Sequence, residues 1–293
     1  MMTPPDRLRA LLAQTGLIVM PAVWDGLSSK LAAEAGFPTA FLSGFCVSAA
    51  RLAAPDLDLM SAGEMLGSLT MVREASPETL VLADGDHGYG NAINVQRTVR
   101  NYARAGAAAV LIEDKITPRS LNAEGKACLS REDARLKIRA AVAAAKESGI
   151  LVLARTDSRQ SQGLDEALAR IEMFSADGAD ILFMDGPADE DEMRRAVLAA
   201  GERPSFSVLS PLGNTNVPTQ ARAAELGLKI GTFPTAMISP AIKAMKAALF
   251  SIGAGRSESD GDLDLAELLQ TLGYSDYALA AKRLVSGADL GAR

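Results

Sequence analysis

The sequence predicts an α/β fold, a (β/α)8 barrel of the TIM type with extra helices at its C-terminus. Three observations lead there. Eight short aliphatic or β-branched runs recur along the chain, alternating with Ala-, Leu- and Arg-rich stretches of helical periodicity. Gly36, Gly106, Gly149, Gly178 and Gly227 each stand shortly before one of these runs, where a glycine closes the preceding helix. The length of 293 residues suits a single barrel. Repeated strand–helix alternation argues for a parallel sheet. Eight repeats favour closure over an open doubly wound sheet, which remains the alternative if one or two strands are misread.

The eight strands are placed at Leu17–Ala22, Thr39–Ser43, Thr79–Asp84, Ala108–Glu113, Ile150–Arg155, Asp180–Asp185, Ser205–Leu209 and Leu228–Thr232. Helical spacing is clearest over Ala134–Lys146, Asp165–Ala176 and Glu190–Ala200. The barrel is assigned to residues 1–251. Residues 252–262 are small, polar and glycine-rich and read as a linker. In the tail, 263–293, Leu265, Leu268, Leu269 and Leu272 fall at helical spacing. That tail either caps its own barrel or reaches a neighbouring subunit.

Composition narrows the functional classes. Thirty-six acids against thirty bases, a net charge of −6, leave no electrostatic footprint for nucleic acid. No apolar run approaches a membrane span, and the N-terminus lacks the apolar core of a signal peptide. Cys46 and Cys128 form neither a C-x-x-C pair nor a disulfide framework, which suits a reducing cytoplasm. The expectation is a cytoplasmic protein acting on a small molecule.

Chemistry in such barrels sits at the C-terminal ends of the strands. Those ends carry Trp24-Asp25, Ser43-Gly44-Phe45, Asp84 with Asp86, Glu113-Asp114, Arg155-Thr156-Asp157, Asp185, and Ser210 with Gly213-Asn214. Asp84 and Asp86, at i and i+2 of an extended backbone, face the same way and open into a glycine-rich loop. Alone, the pair reads first as a capped strand end with two solvated acids. With Glu113 on the next strand it forms an oxygen-ligand set for a hard cation. Arg155 has two readings, an ion pair with Asp185 or Glu113, and a clamp on a substrate carboxylate or oxyanion. His87 is the only histidine, so neither a histidine-based zinc site nor a Ser-His-Asp triad can be assembled. It is read as a proton carrier or as a hydrogen-bonded loop residue. Cys46 and Cys128 are read as packing residues, although a helix beginning near Ser130 or Arg131 could activate the latter thiol.

The ordered set Ser43-Gly44, Asp84-Gly-Asp-His-Gly-Tyr-Gly-Asn91, Gly106-Ala107, Leu111-Ile-Glu-Asp114, Ala154-Arg-Thr-Asp157 and Gly178-Ala-Asp180 resembles the isocitrate lyase and phosphoenolpyruvate mutase superfamily, from about Met20 to Leu249. The resemblance implies a barrel whose last helix is exchanged between subunits, commonly in a homotetramer. It implies Mg²⁺, with Mn²⁺ as a substitute, held by Asp86 with Asp84 and Glu113 directly or through water. The cation would chelate a 2-oxo acid. Backbone N–H groups at Ser43, Gly44 and Phe45, with Arg155, would hold its carboxylate and enolate oxygens. Asp56 matches a loop acid near the site, and Asn214 joins the substrate-binding set. Tyr89, His87 and water are the candidate proton sources.

Departures from the pattern sort the branches. Cysteine-dependent lyases carry a K-R/K-C-G-H loop after the Glu-Asp pair. Here Lys115-Ile-Thr-Pro-Arg-Ser-Leu121 stands in that place, and Cys128 lies too far along. No lysine-rich loop of the phosphonopyruvate-using branches follows Asp114. Pro211-Leu-Gly-Asn-Thr-Asn216 looks closer to the oxaloacetate decarboxylase branch, although Thr235 replaces the late histidine of that branch. The implied activity is cleavage next to a 2-oxo acid through a pyruvate-like enolate, foremost oxaloacetate decarboxylation. A C–C lyase on a substituted malate or methylisocitrate, a phosphonopyruvate mutase or hydrolase, and a non-catalytic dicarboxylate-binding barrel are the alternatives.

Overall fold

The computed structural model describes residues 2–119, 126–209, 218–256 and 261–284. Its eight strands are β1 (Ile18–Val23), β2 (Thr39–Leu42), β3 (Leu80–Asp84), β4 (Ala109–Glu113), β5 (Leu151–Thr156), β6 (Ile181–Met184), β7 (Phe206–Val208) and β8 (Ile230–Phe233). They pair in parallel in the order β6-β5-β4-β3-β2-β1-β8-β7. A parallel bridge from Leu182 to Ser205, with the Leu182 N–H donating to Pro204 O at 2.9 Å, brings β6 against β7. The order runs round the barrel without reversal, so the open doubly wound arrangement, which reverses at a switch point, is excluded.

Helices fill the connections: α2 (Gly26–Glu34), α3 (Gly44–Leu52) and α4 (Ala62–Ala75), α5 (Ala92–Arg104), α6 (Arg131–Ser148), α7 (Ser158–Gln162) and α8 (Leu164–Ala176), α9 (Glu190–Ala200), α10 (Gln220–Glu225) and α11 (Ile238–Gly253), after α1 (Pro4–Leu12). Their limits have local causes. The Ser130 hydroxyl accepts from Asp133 N–H at 3.1 Å and starts α6, three residues earlier than its apolar spacing shows. Gly149, at φ +80°, ends it. On α5, Asn91 and Asn94 form a reciprocal capping box.

The period-two alternation of the strands divides the core into two layers. Phe41, Leu82, Leu111, Leu153, Ile181 and Phe183 point into the barrel, joined from below by Leu8 of α1. Leu42, Val81, Ala83, Val110, Ile112, Val152 and Ala154 point outward, against the helices. Two residues past Phe41, Leu82, Leu111, Leu153 and Phe183 stand Ser43, Asp84, Glu113, Arg155 and Asp185, so strand parity alone aims all five at the mouth. Asp114 has the opposite parity. Its carboxylate is buried behind the sheet, where it accepts from Arg170 of α8 at 3.0 Å, Thr156 at 2.7 Å and the Asp157 N–H at 3.0 Å.

Contacts divide the chain into a unit of residues 1–239 and a second unit of 240–293. The second contains most of α11 together with α12 (Leu265–Leu272) and α13 (Tyr274–Leu284). A capping box between Asp264 and Glu267 starts α12, and Gly273 at φ +79° ends it. Among the described residues no helix is long and apolar enough to cross a membrane.

Asp114→Ala would take from Arg170, with 2% of its side chain exposed, one of its two carboxylates, leaving Glu166 at 2.8 Å, and would strip the acceptor from the Thr156 hydroxyl and the Asp157 N–H. Urea unfolding is expected to show a loss of about 2–3 kcal/mol, from the buried donors left unsatisfied, against no measurable change for Asp191→Ala, whose pair with Arg194 lies on the surface. A loss below about 1 kcal/mol for Asp114→Ala would show that the pair does not hold β4, β5 and α8 together.

Candidate active site

The floor of the mouth is aromatic and dry. The Phe183 and Phe206 ring centroids lie 4.9 Å apart, and those of Phe41 and Phe206 5.6 Å. The Arg155 guanidinium stands 5.1 Å over Phe183, a cation–π contact strengthened by exclusion of water. Above this floor, Asp84 lies at the end of β3 and Asp86 in the turn that follows. The Asp86 N–H donates to Asp84 Oδ1 at 3.1 Å, the Gly44 N–H at the start of α3 to Asp84 Oδ2 at 3.2 Å, and the Tyr89 hydroxyl to Asp86 Oδ2 at 2.7 Å. A Cβ on Gly44 would stand 3.0 Å from Asp84 Oδ2 and 3.3 Å from Asp86 Oδ1, so only glycine lets the helix terminus approach both acids. Asp86 (φ +47°) and Tyr89 (φ +59°) both occupy the left-handed region, strain of the kind that collects at functional sites.

All three donors to this acid pair are neutral. Among the described residues neither Asp84 nor Asp86 has an ion-pair partner. Burial, and then the charge of Asp56, raises the Asp84 pKa. Burial, and then repulsion from Asp84 and Glu113, raises that of Asp86 further. Two hard oxygen donors with unoffset charge fit a divalent cation.

Glu113 is held differently from the sequence-based expectation. Its Oε1 lies 2.7 Å from Lys115 Nζ and its Oε2 3.3 Å from Arg155 Nε. Among the described residues no three Asp, Glu, His or Cys side chains form a ready-made ligand set. The structure therefore joins two of the three expected ligands as a free acid pair and keeps the third in ion pairs. Arg155 is an ion-pair residue as placed. It donates bidentately to Asp157 at 2.7 and 3.0 Å and lies 3.1 Å from Asp185. Burial opposes its charge, but Asp157, Asp185 and Glu113 more than offset that. Its Nη1 makes no hydrogen bond among the described residues and is the edge left for an anion.

Other expected residues are placed as follows. The Ser43 backbone N–H cannot serve a substrate, because it donates to Val23 O at 3.1 Å within the barrel. The Ser43 hydroxyl instead caps α3 by accepting from Cys46 N–H at 3.4 Å. The Gly44 N–H is taken by Asp84, and Phe45, exposed in the first turn of α3, stands beside it. Asp56 sits at the rim, half-buried, its carbonyl accepting from Arg119 at 3.0 Å. His87 is not a hydrogen-bonded loop residue through Nδ1, which is buried without a partner among the described residues. Burial, and then the charge of Lys137, lowers its pKa to about 4, so the ring is uncharged at neutral pH. Asn214, with Ser210 and Gly213, lies outside the described residues. Burial pushes the Cys46 thiol up to about 11 and the Cys128 thiol up to about 12, as packing residues require.

Three partners were not anticipated. Asp58 and Lys115 pair at 2.7 Å with almost no exposed side chain, tying the loop after α3 to the end of β4. Lys126 pairs with Asp157 and, at 2.7 Å, with Asp185. Burial alone would raise Asp157, but Arg155 and Lys126 hold it far below the usual carboxylate range. Strand parity was a usable signal for Asp157; nothing in the sequence marked Asp58 or either lysine.

Fold and site together define a (β/α)8 enzyme built around an acid pair at the mouth of its barrel. The family model described as phosphoenolpyruvate phosphomutase matches residues 8–252. The chain is 35% identical over 247 residues to the 2,3-dimethylmalate lyase of Eubacterium barkeri, covering 83% of this chain and 84% of the relative. It is 33% identical over 279 residues to an oxaloacetate decarboxylase of Pseudomonas putida, covering 95% and 94%. A crystal structure of 2,3-dimethylmalate lyase superposes with a TM-score of 0.91 at 32% identity, covering 100% of this chain and 99% of that one. Phosphonopyruvate hydrolase in complex with oxalate and Mg²⁺ superposes with a TM-score of 0.84 at 29% identity, covering 97% and 99%. This chain belongs to the phosphoenolpyruvate mutase family, within the superfamily that includes isocitrate lyase.

The raised acids set a pH dependence. Burial, and then the charge of Asp157, raises Glu113 to about 7, with Arg155 and Lys115 acting against the rise. Relative to its ordinary value of 4.5, it keeps a proton longer in the folded state. Its contribution is therefore full below pH 4.5 and lost as the pH rises to about 7, at up to about 1.4 kcal/mol per pH unit. Asp157 acts in the opposite sense, its contribution being lost as the pH falls below its ordinary 3.8. In EDTA, the unfolding free energy of wild type is expected to fall from about pH 5 to pH 8 more steeply than that of Glu113→Gln. Parallel profiles would refute the raised pKa.

Proposed function

We propose that this protein is a Mg²⁺-dependent lyase of 2-oxo acids that decarboxylates oxaloacetate to pyruvate. The observation that carries this is the pair of buried Asp84 and half-buried Asp86, without a cationic partner among the described residues, set between the start of α3 and Arg155. The likeness to an oxaloacetate decarboxylase over 95% of the chain supports the choice of substrate. Asp86 and Asp84, with Glu113, would hold the cation, which when bound supplies a Lewis acid for the charge that develops on the 2-oxo oxygen. Mn²⁺ would serve in its place.

The chain's own groups do the rest. Arg155, fixed by Asp157 and Asp185, presents its free edge to a substrate carboxylate. The start of α3 at Gly44 and Phe45 supplies a positive dipole end for the second oxygen. The aromatic floor keeps water from the electrons left behind when the C3–C4 bond breaks and CO2 departs. Those electrons form the enolate of pyruvate, and C3 then takes a proton. Tyr89 is the best-placed donor, with its hydroxyl at Asp86 and its pKa driven well up by burial, so that it stays protonated. Loss of CO2 needs no protein nucleophile, in keeping with two buried, unreactive thiols. A C–C lyase acting on a substituted malate is the second reading, favoured by the 35% identity to 2,3-dimethylmalate lyase.

We also place the enzyme in the cytoplasm, where two free cysteines persist, as a homotetramer with its C-terminal helices against neighbouring subunits. Leu249 (68% exposed), Phe250 (74%) and Tyr277 (78%) are too apolar for a solvated surface. Sedimentation at micromolar concentration is expected to show four chains; a monomer would overturn this.

Pyruvate release from oxaloacetate should require Mg²⁺ and fall roughly a thousandfold in Asp86→Ala. Because free metal also decarboxylates this acid, equal rates for wild type and variant would refute the assignment. Exclusive cleavage of dimethylmalate in a panel of acids would favour the second reading.

A further inference from the structure

A cavity of about 400 Å³ lies between the start of α5 and the first turns of α6, a size usual for small-molecule sites. Gly90, Asn91 and Ala92 form one wall, Lys115 to Thr117 another, and Leu129, Asp133, Leu136 and Lys137 the third. Among the described residues Asp84, Asp86, Glu113 and Arg155 do not line it; it adjoins the barrel mouth, with Lys115 and Lys137, both in contact with Glu113, between the two.

Lys137 is the unusual group. It is 7% exposed, yet its ammonium makes only one long hydrogen bond, 3.5 Å to the Glu113 carbonyl, and no ion pair among the described residues. Lys115 on the same wall is satisfied by Asp58 and Glu113, both at 2.7 Å. Among the described residues Asp133 is the one acid lining the cavity, and its carboxylate already accepts from the Ser130 hydroxyl at 2.6 Å. A buried ammonium without a counter-charge is unfavourable. The start of α5 adds a positive dipole end on the facing wall, and Ile116, Leu129 and Leu136 supply an apolar surface.

We infer that this cavity binds a small organic monocarboxylate, its carboxylate on Lys137 and its hydrocarbon body against Ile116, Leu129 and Leu136. A single negative charge fits better than two, because Asp133 stands on the same wall. The site does not rest on the reaction proposed above.

Calorimetric titration of the full-length protein with hexanoate tests it, with Mg²⁺ and oxalate present to fill the barrel mouth. One saturable site per chain with a Kd below about 1 mM is expected, at least tenfold weaker in Lys137→Met and unchanged in Asp86→Asn. Ala92→Trp, which narrows the cavity without touching the lysine, should weaken binding to the same degree and decides the matter if Lys137→Met does not fold. Inorganic phosphate should bind at least tenfold less tightly than hexanoate. No saturation by hexanoate, binding undiminished by Ala92→Trp, binding abolished by oxalate, or equal affinity for phosphate would each overturn the assignment.

Discussion

The site depends on one electrostatic constraint, the crowding of carboxylates in a largely buried barrel mouth. Asp84, Asp86, Glu113, Asp157 and Asp185 converge there over an aromatic floor that gives little solvation. Arg155 is the cation that makes the arrangement tolerable, reaching Glu113, Asp157 and Asp185 at once. Lys115 and Lys126 extend the same compensation outward. Among the described residues only Asp84 and Asp86 of this group are left without a charged partner, so the negative charge concentrates where a cation and a 2-oxo acid would meet.

The backbone is arranged around that pair. The start of α3 is brought against Asp84, which requires a bare Cα at Gly44. Asp86 and Tyr89 are held in left-handed conformations so that the turn after β3 can aim one carboxylate and one hydroxyl at the same place. Behind the sheet, Asp114 and Arg170 carry a separate charge pair whose task is structural. Adjacent residues, Glu113 and Asp114, thus take unrelated roles because strand parity sends them to opposite faces.

Much of this was legible. Eight strands, their order and the inward set Ser43, Asp84, Glu113, Arg155 and Asp185 follow from period-two patterning and from where the aliphatic runs stop. What escaped was pairing across sequence distance. Asp58 meets Lys115, and Lys126 meets Asp157 and Asp185, only because neighbouring loops rise from adjacent strands. Competition for partners escaped as well: the Ser43 N–H is taken by β1, and the Glu113 oxygens face Lys115 and Arg155, neighbours the chain order does not announce.

By itself, the sequence determined the barrel and the residue types at its mouth, since both follow from local periodicity and from polar residues ending each apolar run. Only the tertiary structure decided which of those polar groups are free. A carboxylate's charge state and availability depend on every cation and hydrogen-bond donor within a few ångströms, and the fold, not the chain order, chooses those neighbours.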